Sequence, residues 1–299
     1  MPIYQVIVLA IVQGLAELLP ISSSAHVVVA EKLMGLDPSS PQMTLLLVML
    51  HSGTMLAVIA YFWKYWKQTY FASADEFKRF ALRLVYATAL TGVVGEALKK
   101  LIEHTMFKGA PKAEIEDLFG RLDLIAPALA CVGVLILVSG LRVKAAEKAP
   151  EVSSLTRRPS EGVTMRQAGW IGFVQGLALP FRGFSRSGST ISTGILVGAT
   201  KERAERFSFA LAVVLTPPVV AQEAMRLVKA THEAAATGTP IDLHGTVALS
   251  LMGALFAFLA GLAALKWLSS WLAHGLWYLF GIYCLAASCV VLFLHTRGF

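Results

Sequence analysis

Val12-Gln13-Gly14-Leu15-Ala16 opens a stretch that runs through Glu17-Leu18-Leu19-Pro20 into Ile21-Ser22-Ser23-Ser24-Ala25-His26, and the same five residues return at Val174-Gln175-Gly176-Leu177-Ala178. The second copy also meets a proline, Pro180, and continues through Phe181-Arg182-Gly183-Phe184 into Ser185-Arg186-Ser187-Gly188-Ser189-Thr190. Both copies lie in strongly apolar sequence, where hydroxyls, a carboxylate, an imidazole and a guanidinium are expensive to keep. A match of five residues can arise by chance; matched chemistry downstream of it makes chance a poor account. A polar break duplicated in a membrane-like chain is how a midplane binding site is assembled from an internal repeat.

The composition agrees. The chain has 299 residues, 56% hydrophobic and 15% charged, with a mean hydropathy of +0.65. Soluble domains carry about 25% charged residues. A soluble all-α protein would need charged helix faces every few residues, and the segments 43–63 and 276–294 carry no charge at all. Composition therefore outweighs length as a guide and points to one polytopic membrane domain. The first segment does not read as an ordinary signal peptide: Met1-Pro2-Ile3-Tyr4 lacks a positive start, and Gln13 and Glu17 interrupt the apolar run. Cys131, Cys284 and Cys289 have neither metal-ligand nor paired-disulfide spacing and read as small core residues. The net charge of +7 lies mostly in short loops, so it bears on membrane orientation and not on a nucleic-acid partner.

A helix needs about 20 apolar residues to cross a bilayer core of roughly 30 Å. Six segments meet this, at 43–63, 80–98, 123–142, 207–225, 246–265 and 275–295. The duplicated regions, 3–36 and 166–200, are instead divided by a Pro-Ser break into halves of roughly 15 residues, which suit a re-entrant hairpin with its irregular tip buried in protein or facing a wet cavity. The expected fold is thus an all-α integral membrane protein built as an inverted-topology repeat. Residues 1–145 form the first repeat, 146–165 a cytoplasmic linker and 166–299 the second repeat, each repeat a re-entrant hairpin followed by three spans. Three is odd, so the second repeat enters from the opposite side.

Lys and Arg counts set the orientation. The side holding Lys64, Lys67, Lys78, Arg79, Arg142, Lys144, Lys148, Arg157, Arg158, Arg166, Lys201, Arg203, Arg206 and Lys266 has fourteen, and the other side, which includes Lys108 and Lys112, has nine. The richer side is expected to be cytoplasmic, which puts both termini and the mouth of the first hairpin in the periplasm. The linker, with Pro150, Ser153, Ser154, Pro159 and Ser160, marks the repeat boundary. Pro217-Pro218 reads as a kink in its span.

Gln13 and Glu17 share a helix face one turn apart. Ser22, Ser23 and Ser24 are good N-cap residues for the helix after Pro20, and His26 falls three residues after Ser23 and so beside it. In the second copy Ser185, Ser187 and Ser189 surround Arg186, while Gly183 and Gly188 allow close backbone approach. Two half-helix N-termini meeting at the midplane offer free N–H groups and positive dipole ends, and Arg186 adds a fork suited to phosphate. The ligand implied is an anion, phosphate or diphosphate. Blander readings exist for each residue alone. Serines in membrane helices bond to the preceding turn, Glu17 can be a packing carboxyl, His26 an interior histidine, and Arg182 and Arg186 snorkelling anchors. Their joint occurrence on two related tips outweighs these. His51 stays open between packing and function.

The stretch 12–26 together with Gly183-Phe184-Ser185-Arg186-Ser187-Gly188-Ser189-Thr190 resembles the two signature regions of the bacterial undecaprenyl-diphosphate phosphatase, or bacitracin-resistance, family. The resemblance extends to His51-Ser52-Gly53-Thr54 and Phe207-Ser208-Phe209. It implies a multi-pass inner-membrane enzyme with re-entrant hairpins that hydrolyses undecaprenyl diphosphate to the monophosphate and inorganic phosphate, recycling the lipid carrier of peptidoglycan synthesis and conferring bacitracin resistance. A homodimer is left open. Two positions depart from the family pattern: Gln13 stands at the first acidic position, leaving Glu17 the only acid, and Arg182 stands where proline is usual.

The expected mechanism has Arg186 and the half-helix N–H groups holding the diphosphate, with Ser23 as nucleophile and His26 as general base and later acid. His26 as direct nucleophile is the variant. Glu17 holds Mg²⁺ or Ca²⁺ or orients His26, and Gln13, Ser22, Ser24, Ser185, Ser187, Gly188, Ser189 and Thr190 contact the phosphates. The alternative is a transporter or flippase of a phosphorylated lipid or anion, since inverted repeats with broken helices are also transporter architecture.

Overall fold

The computed structural model describes residues 1–36, 41–106, 121–148, 162–236 and 243–298. Lys108, Lys112, Arg157, Arg158 and most of the expected linker lie outside the described residues. What is described is helical: α1 (Ile3–Leu18), α2 (Ser23–Leu33), α3 (Pro41–Thr69), α4 (Ala74–Met106), α5 (Leu122–Lys148), α6 (Met165–Ala178), α7 (Arg186–Leu196), α8 (Lys201–Ala236), α9 (Leu243–Ala273) and α10 (Trp277–Thr296).

Helix length separates two classes. Among the described residues five helices are long and apolar enough to cross a membrane, over Leu45–Thr69, Ala74–Thr105, Leu122–Ala145, Gly245–Ala273 and Trp277–Thr296. They coincide with five of the six expected spans. The sixth, 207–225, is helical within α8, and Pro217 and Pro218 sit inside that helix without ending it. The helices of the duplicated regions are short. α1 and α6 have 16 and 14 residues, and α2 and α7 have 11 each. At 1.5 Å per residue even α1 reaches only about 24 Å, short of a bilayer core.

Large apolar side chains on the long helices point outward. Val93 and Val85 on α4 are 68% and 66% exposed, and Leu255 and Leu259 on α9 and Val290 on α10 are exposed as well. Exposed apolar faces of this kind suit hydrocarbon and not water.

The short helices are held by the long ones. α1 packs on α9 and α6 on α4, while α3 packs on α8 and α9, and α5 on α7 and α10. The repeated pentapeptide supplies the contact. A Cβ at Gly14 would lie 2.6 Å from Ala260 Cβ and 2.8 Å from the Ala257 carbonyl on α9, and one at Gly176 would lie 2.7 Å from Val94 Cβ and 2.9 Å from the Thr91 carbonyl on α4. Only a residue without a side chain lets these backbones approach so closely. Trp277, fully buried, donates its indole N–H to Ser139 Oγ of α5 (3.0 Å) and Ser192 Oγ of α7 (3.1 Å), so a core aromatic also ties the second tip to the frame.

Candidate active site

Each tip is shaped by a few residues. Leu19 leaves α1 in extended conformation, and Pro20 follows. Ser22 then takes φ 68°, the left-handed region, and is the only non-glycine residue among those described to do so. Such a position costs energy in a residue with a Cβ and concentrates where function demands it. Ser22 occupies the N-cap position of α2 but makes no side-chain cap; its Oγ lies 3.3 Å from Ser24 Oγ instead. The first-turn N–H groups of α2 therefore lack the side-chain acceptor expected of Ser22. At the other tip Gly183 has φ 101°, and its hypothetical Cβ would stand 2.6 Å from the Ile125 carbonyl of α5, so glycine is required twice over. Ser185 caps α7 by accepting the Gly188 N–H at 3.1 Å.

The two tips bond directly to each other. The Gly183 N–H donates to Ser24 Oγ at 3.4 Å, and Ser187 Oγ–H donates to the Leu19 carbonyl at 3.2 Å. Arg186 Nη2 donates to Glu17 Oε1, the bond that joins the only carboxylate of the first signature to the guanidinium of the second. The other carboxylate oxygen, Oε2, accepts Ser23 Oγ–H at 2.5 Å and the Gln13 amide at 3.3 Å. His51 Nε2 stands 3.9 Å from the same oxygen. Its Nδ1 lies 2.8 Å from the Leu47 carbonyl, which can only accept, so the ring proton sits on Nδ1 and Nε2 is turned to the site. Glu17 and Arg186 keep 14% and 22% of their side chains accessible, so the pair is shielded but reachable.

A cavity of about 290 Å³ opens on this cluster. Of the residues singled out in the sequence, Glu17, Ser22, Ser23, Ser24, Ser185, Arg186 and Ser187 line it, together with His51, Arg182, Leu215, Thr216 and apolar residues of the second tip. Gln13, Gly188, Ser189 and Thr190 stand behind its wall. Gln13 is buried against Glu17, Ser189 Oγ bonds the Arg186 carbonyl, and Thr190 Oγ1 lies 2.6 Å from Ser208 Oγ of α8.

The expected pairing of Ser23 with His26 is not made. Three residues on a helix turn about 300°, so His26 leaves α2 on a side where α10 competes for it. Its Nδ1 lies 2.7 Å from the Ser22 carbonyl, its Nε2 2.7 Å from Tyr283 Oη, and the two rings stack at 5.7 Å. Ser23 turns the other way, to Glu17. No local pattern announces Tyr283, which is 257 positions from His26. Leu215 and Thr216 were likewise unforeseen, and the only local hint was the Pro-Pro that follows them.

The repeat is not chemically symmetric. Gln175, the counterpart of Gln13, is fully buried and donates to Thr91 Oγ1 at 3.2 Å, away from the cavity. No cluster of three or more His, Cys, Asp or Glu exists among the described residues. Among those residues Glu17 is the one carboxylate lining the cavity, with the Gln13 amide behind it, a set that suits Mg²⁺ or Ca²⁺ only when substrate phosphate oxygens complete the shell.

Comparison with known proteins decides the family. Residues 6–290 match the model of the family described as bacitracin resistance protein BacA. The chain belongs to this family. An Acinetobacter baylyi protein named undecaprenyl-diphosphatase 2 is 55% identical over 98% of both chains. Relatives named undecaprenyl-diphosphatase from Christiangramia forsetii and Desulfosudis oleivorans are 32% and 31% identical, covering 95% and 98% of both chains respectively. BacA-family likeness thus spans both tips, the long helices and the region of His51.

Proposed function

We propose that this BacA-family chain is a membrane phosphatase that hydrolyses undecaprenyl diphosphate to undecaprenyl phosphate and inorganic phosphate, recycling the lipid carrier of peptidoglycan synthesis. The observation that carries it is the Ser23–Glu17–Arg186 cluster, which places a hydroxyl, its proton acceptor and a phosphate-matching cation on one cavity. Anion transport requires no hydroxyl paired with a carboxylate, and the relatives named above are diphosphatases.

Glu17 takes the Ser23 proton along the 2.5 Å bond, and Oγ attacks the terminal phosphorus. The bond to the bridging oxygen breaks and its electron pair leaves with the prenyl monophosphate. Arg186 and the first N–H groups of α2 and α7 stabilise the charge spread over the transferred group, which is most of what phosphoryl transfer asks of a protein. Water then attacks the phosphorylated Ser23, giving its proton to His51 Nε2, while Ser23 Oγ recovers the proton from Glu17. His26 supports the tip from the side of α10. A divalent cation held by Glu17, Gln13 and the substrate would neutralise further phosphate charge.

The inverted repeat is part of the same reading. If α1–α5 and α6–α10 are exchanged, α1 on α9 becomes α6 on α4, while α3 on α8 and α5 on α10 map onto themselves; all are packed pairs. The basic loops then set the termini in the periplasm.

The test is phosphate release from farnesyl or undecaprenyl diphosphate by detergent-solubilised protein, with EDTA and with added Mg²⁺ or Ca²⁺. Release by the native protein and none by Ser23→Ala is the expected result. Binding without turnover under every cation condition would return the protein to the transporter class.

A further inference from the structure

Arg186 is not the only guanidinium on the cavity. Arg182, four residues earlier on the same turn, lines it too. Arg186 is backed by Glu17 of α1. A second carboxylate, Glu31 of α2, is 1% exposed, its Oε1 is buried with no hydrogen-bond partner, and the Arg182 charge acts on it. Burying a carboxylate is costly unless a cation accompanies it. The second tip thus brings two arginines to the cavity, Arg186 bonded to Glu17 and Arg182 within the field of Glu31.

The pairs differ in height. Ser23 opens α2 and Glu31 lies eight residues further along it, about 12 Å toward the far end of the helix. The Gly183 N–H bond to Ser24 Oγ pins the turn beside the first turn of α2, so Arg182, on the cavity, stands next to the reacting level. A prenyl diphosphate with its terminal phosphate at Ser23 would have its prenyl-bearing phosphate one bridging oxygen away, on the same cavity. A guanidinium has five N–H donors, more than one carboxylate can occupy.

We propose that Arg182, oriented by the buried Glu31, holds the prenyl-bearing phosphate while Arg186 holds the terminal one, so that two arginines at fixed separation select a prenyl diphosphate over a prenyl monophosphate. Arg182 is a substrate-binding residue and Glu31 a positioning residue. The assignment rests on the phosphatase reading. It gives the product a reason to leave: once the terminal phosphate is gone, the lipid keeps only the Arg182 contact.

The experiment measures phosphate release from farnesyl diphosphate by the full chain in detergent, with farnesyl monophosphate and inorganic phosphate as competing inhibitors. In Arg182→Gln the KM is expected to rise about tenfold, the scale of one charge-assisted phosphate contact, while kcat stays within about threefold. Inhibition by farnesyl monophosphate should weaken in parallel, and inhibition by inorganic phosphate should not. Glu31→Gln should shift KM in the same direction, and Arg182→Lys should recover part of the loss. The double variant Arg182→Gln/Glu31→Gln leaves no unpaired buried charge, so it repeats the test if the single variant folds poorly, and its KM should be no worse than that of Arg182→Gln. An unchanged KM, a tenfold loss confined to kcat, or equal loss of both inhibitors would overturn the assignment. If the native protein releases no phosphate, the phosphatase reading fails first. Equilibrium binding then judges the arginines separately: relative to the native protein, the double variant must bind both farnesyl diphosphate and farnesyl monophosphate about tenfold more weakly and inorganic phosphate unchanged.

Discussion

In the proposed mechanism Arg186 carries two burdens, a phosphate to be bound and a buried carboxylate to be balanced. Replacing it by Ala should therefore cost more than about 100-fold in kcat, the scale of losing a charge-stabilising group, and should also destabilise the tips by leaving Glu17 buried without its cation. The two effects separate experimentally. Arg186→Ala/Glu17→Gln should recover thermal stability in detergent while phosphate release stays lost, and Arg186→Lys should rescue poorly, since an ammonium is a point charge where a fork is needed. Arg182→Ala should leave the rate at saturating substrate far less affected. Near-normal release by Arg186→Ala would mean that the phosphate clamp belongs to another residue. At this scale residue types were legible and partners were not. Ser23, Glu17 and Arg186 stood out because hydroxyl, carboxylate and guanidinium are costly in apolar sequence. The choice of Glu17 over His26 as the partner of Ser23 turned on which helix each side chain faces.

The short helices work as elements because they lie against the long ones at glycine. Gly14 and Gly176 sit at the same place in the repeated pentapeptide and make the same kind of contact with α9 and α4. Leu at either position has no room, and overpacking of this kind costs roughly 1–3 kcal/mol. Gly14→Leu and Gly176→Leu are expected to lower the melting temperature in detergent and to reduce phosphate release, because α1 carries Gln13 and Glu17 and α6 leads into the Arg182–Arg186 turn. Gly92 of α4 is the control: nothing lies within 4 Å of its added Cβ, and Gly92→Ala in a helix interior should be neutral or stabilising by roughly 0.5–1 kcal/mol. Equal tolerance at all three glycines would show that the close contacts do not hold the hairpins. The helix breaks themselves were readable, since Pro20 and Pro180 lack N–H groups and the serines beyond them favour helix starts.

At the scale of the molecule, the proposed inverted repeat, with an odd number of spans after each hairpin, and the uneven basic loops predict an orientation that labelling can check. In a cysteine-free background, Ala145→Cys at the exposed end of α5 should react with a membrane-impermeant thiol reagent only from the cytoplasmic side. Leu33→Cys at the exposed end of α2 should react only from the periplasmic side. Labelling of both from one side would remove the inverted repeat.

Length, apolar content and the repeated pentapeptide were enough to establish an all-helical chain with long apolar helices, two broken helix pairs and a polar cluster of serines, an acid and an arginine. Those properties are local: hydropathy is summed along the sequence, proline acts on its own turn, and costly polar residues reveal themselves by their surroundings. Tertiary structure alone decided which costly groups meet. Arg186 finds Glu17 across 169 positions, His26 finds Tyr283 across 257, and His51 comes to the cavity from α3. Such pairings follow from how helices rotate and pack around one another, and the order of residues along a chain does not state that rotation.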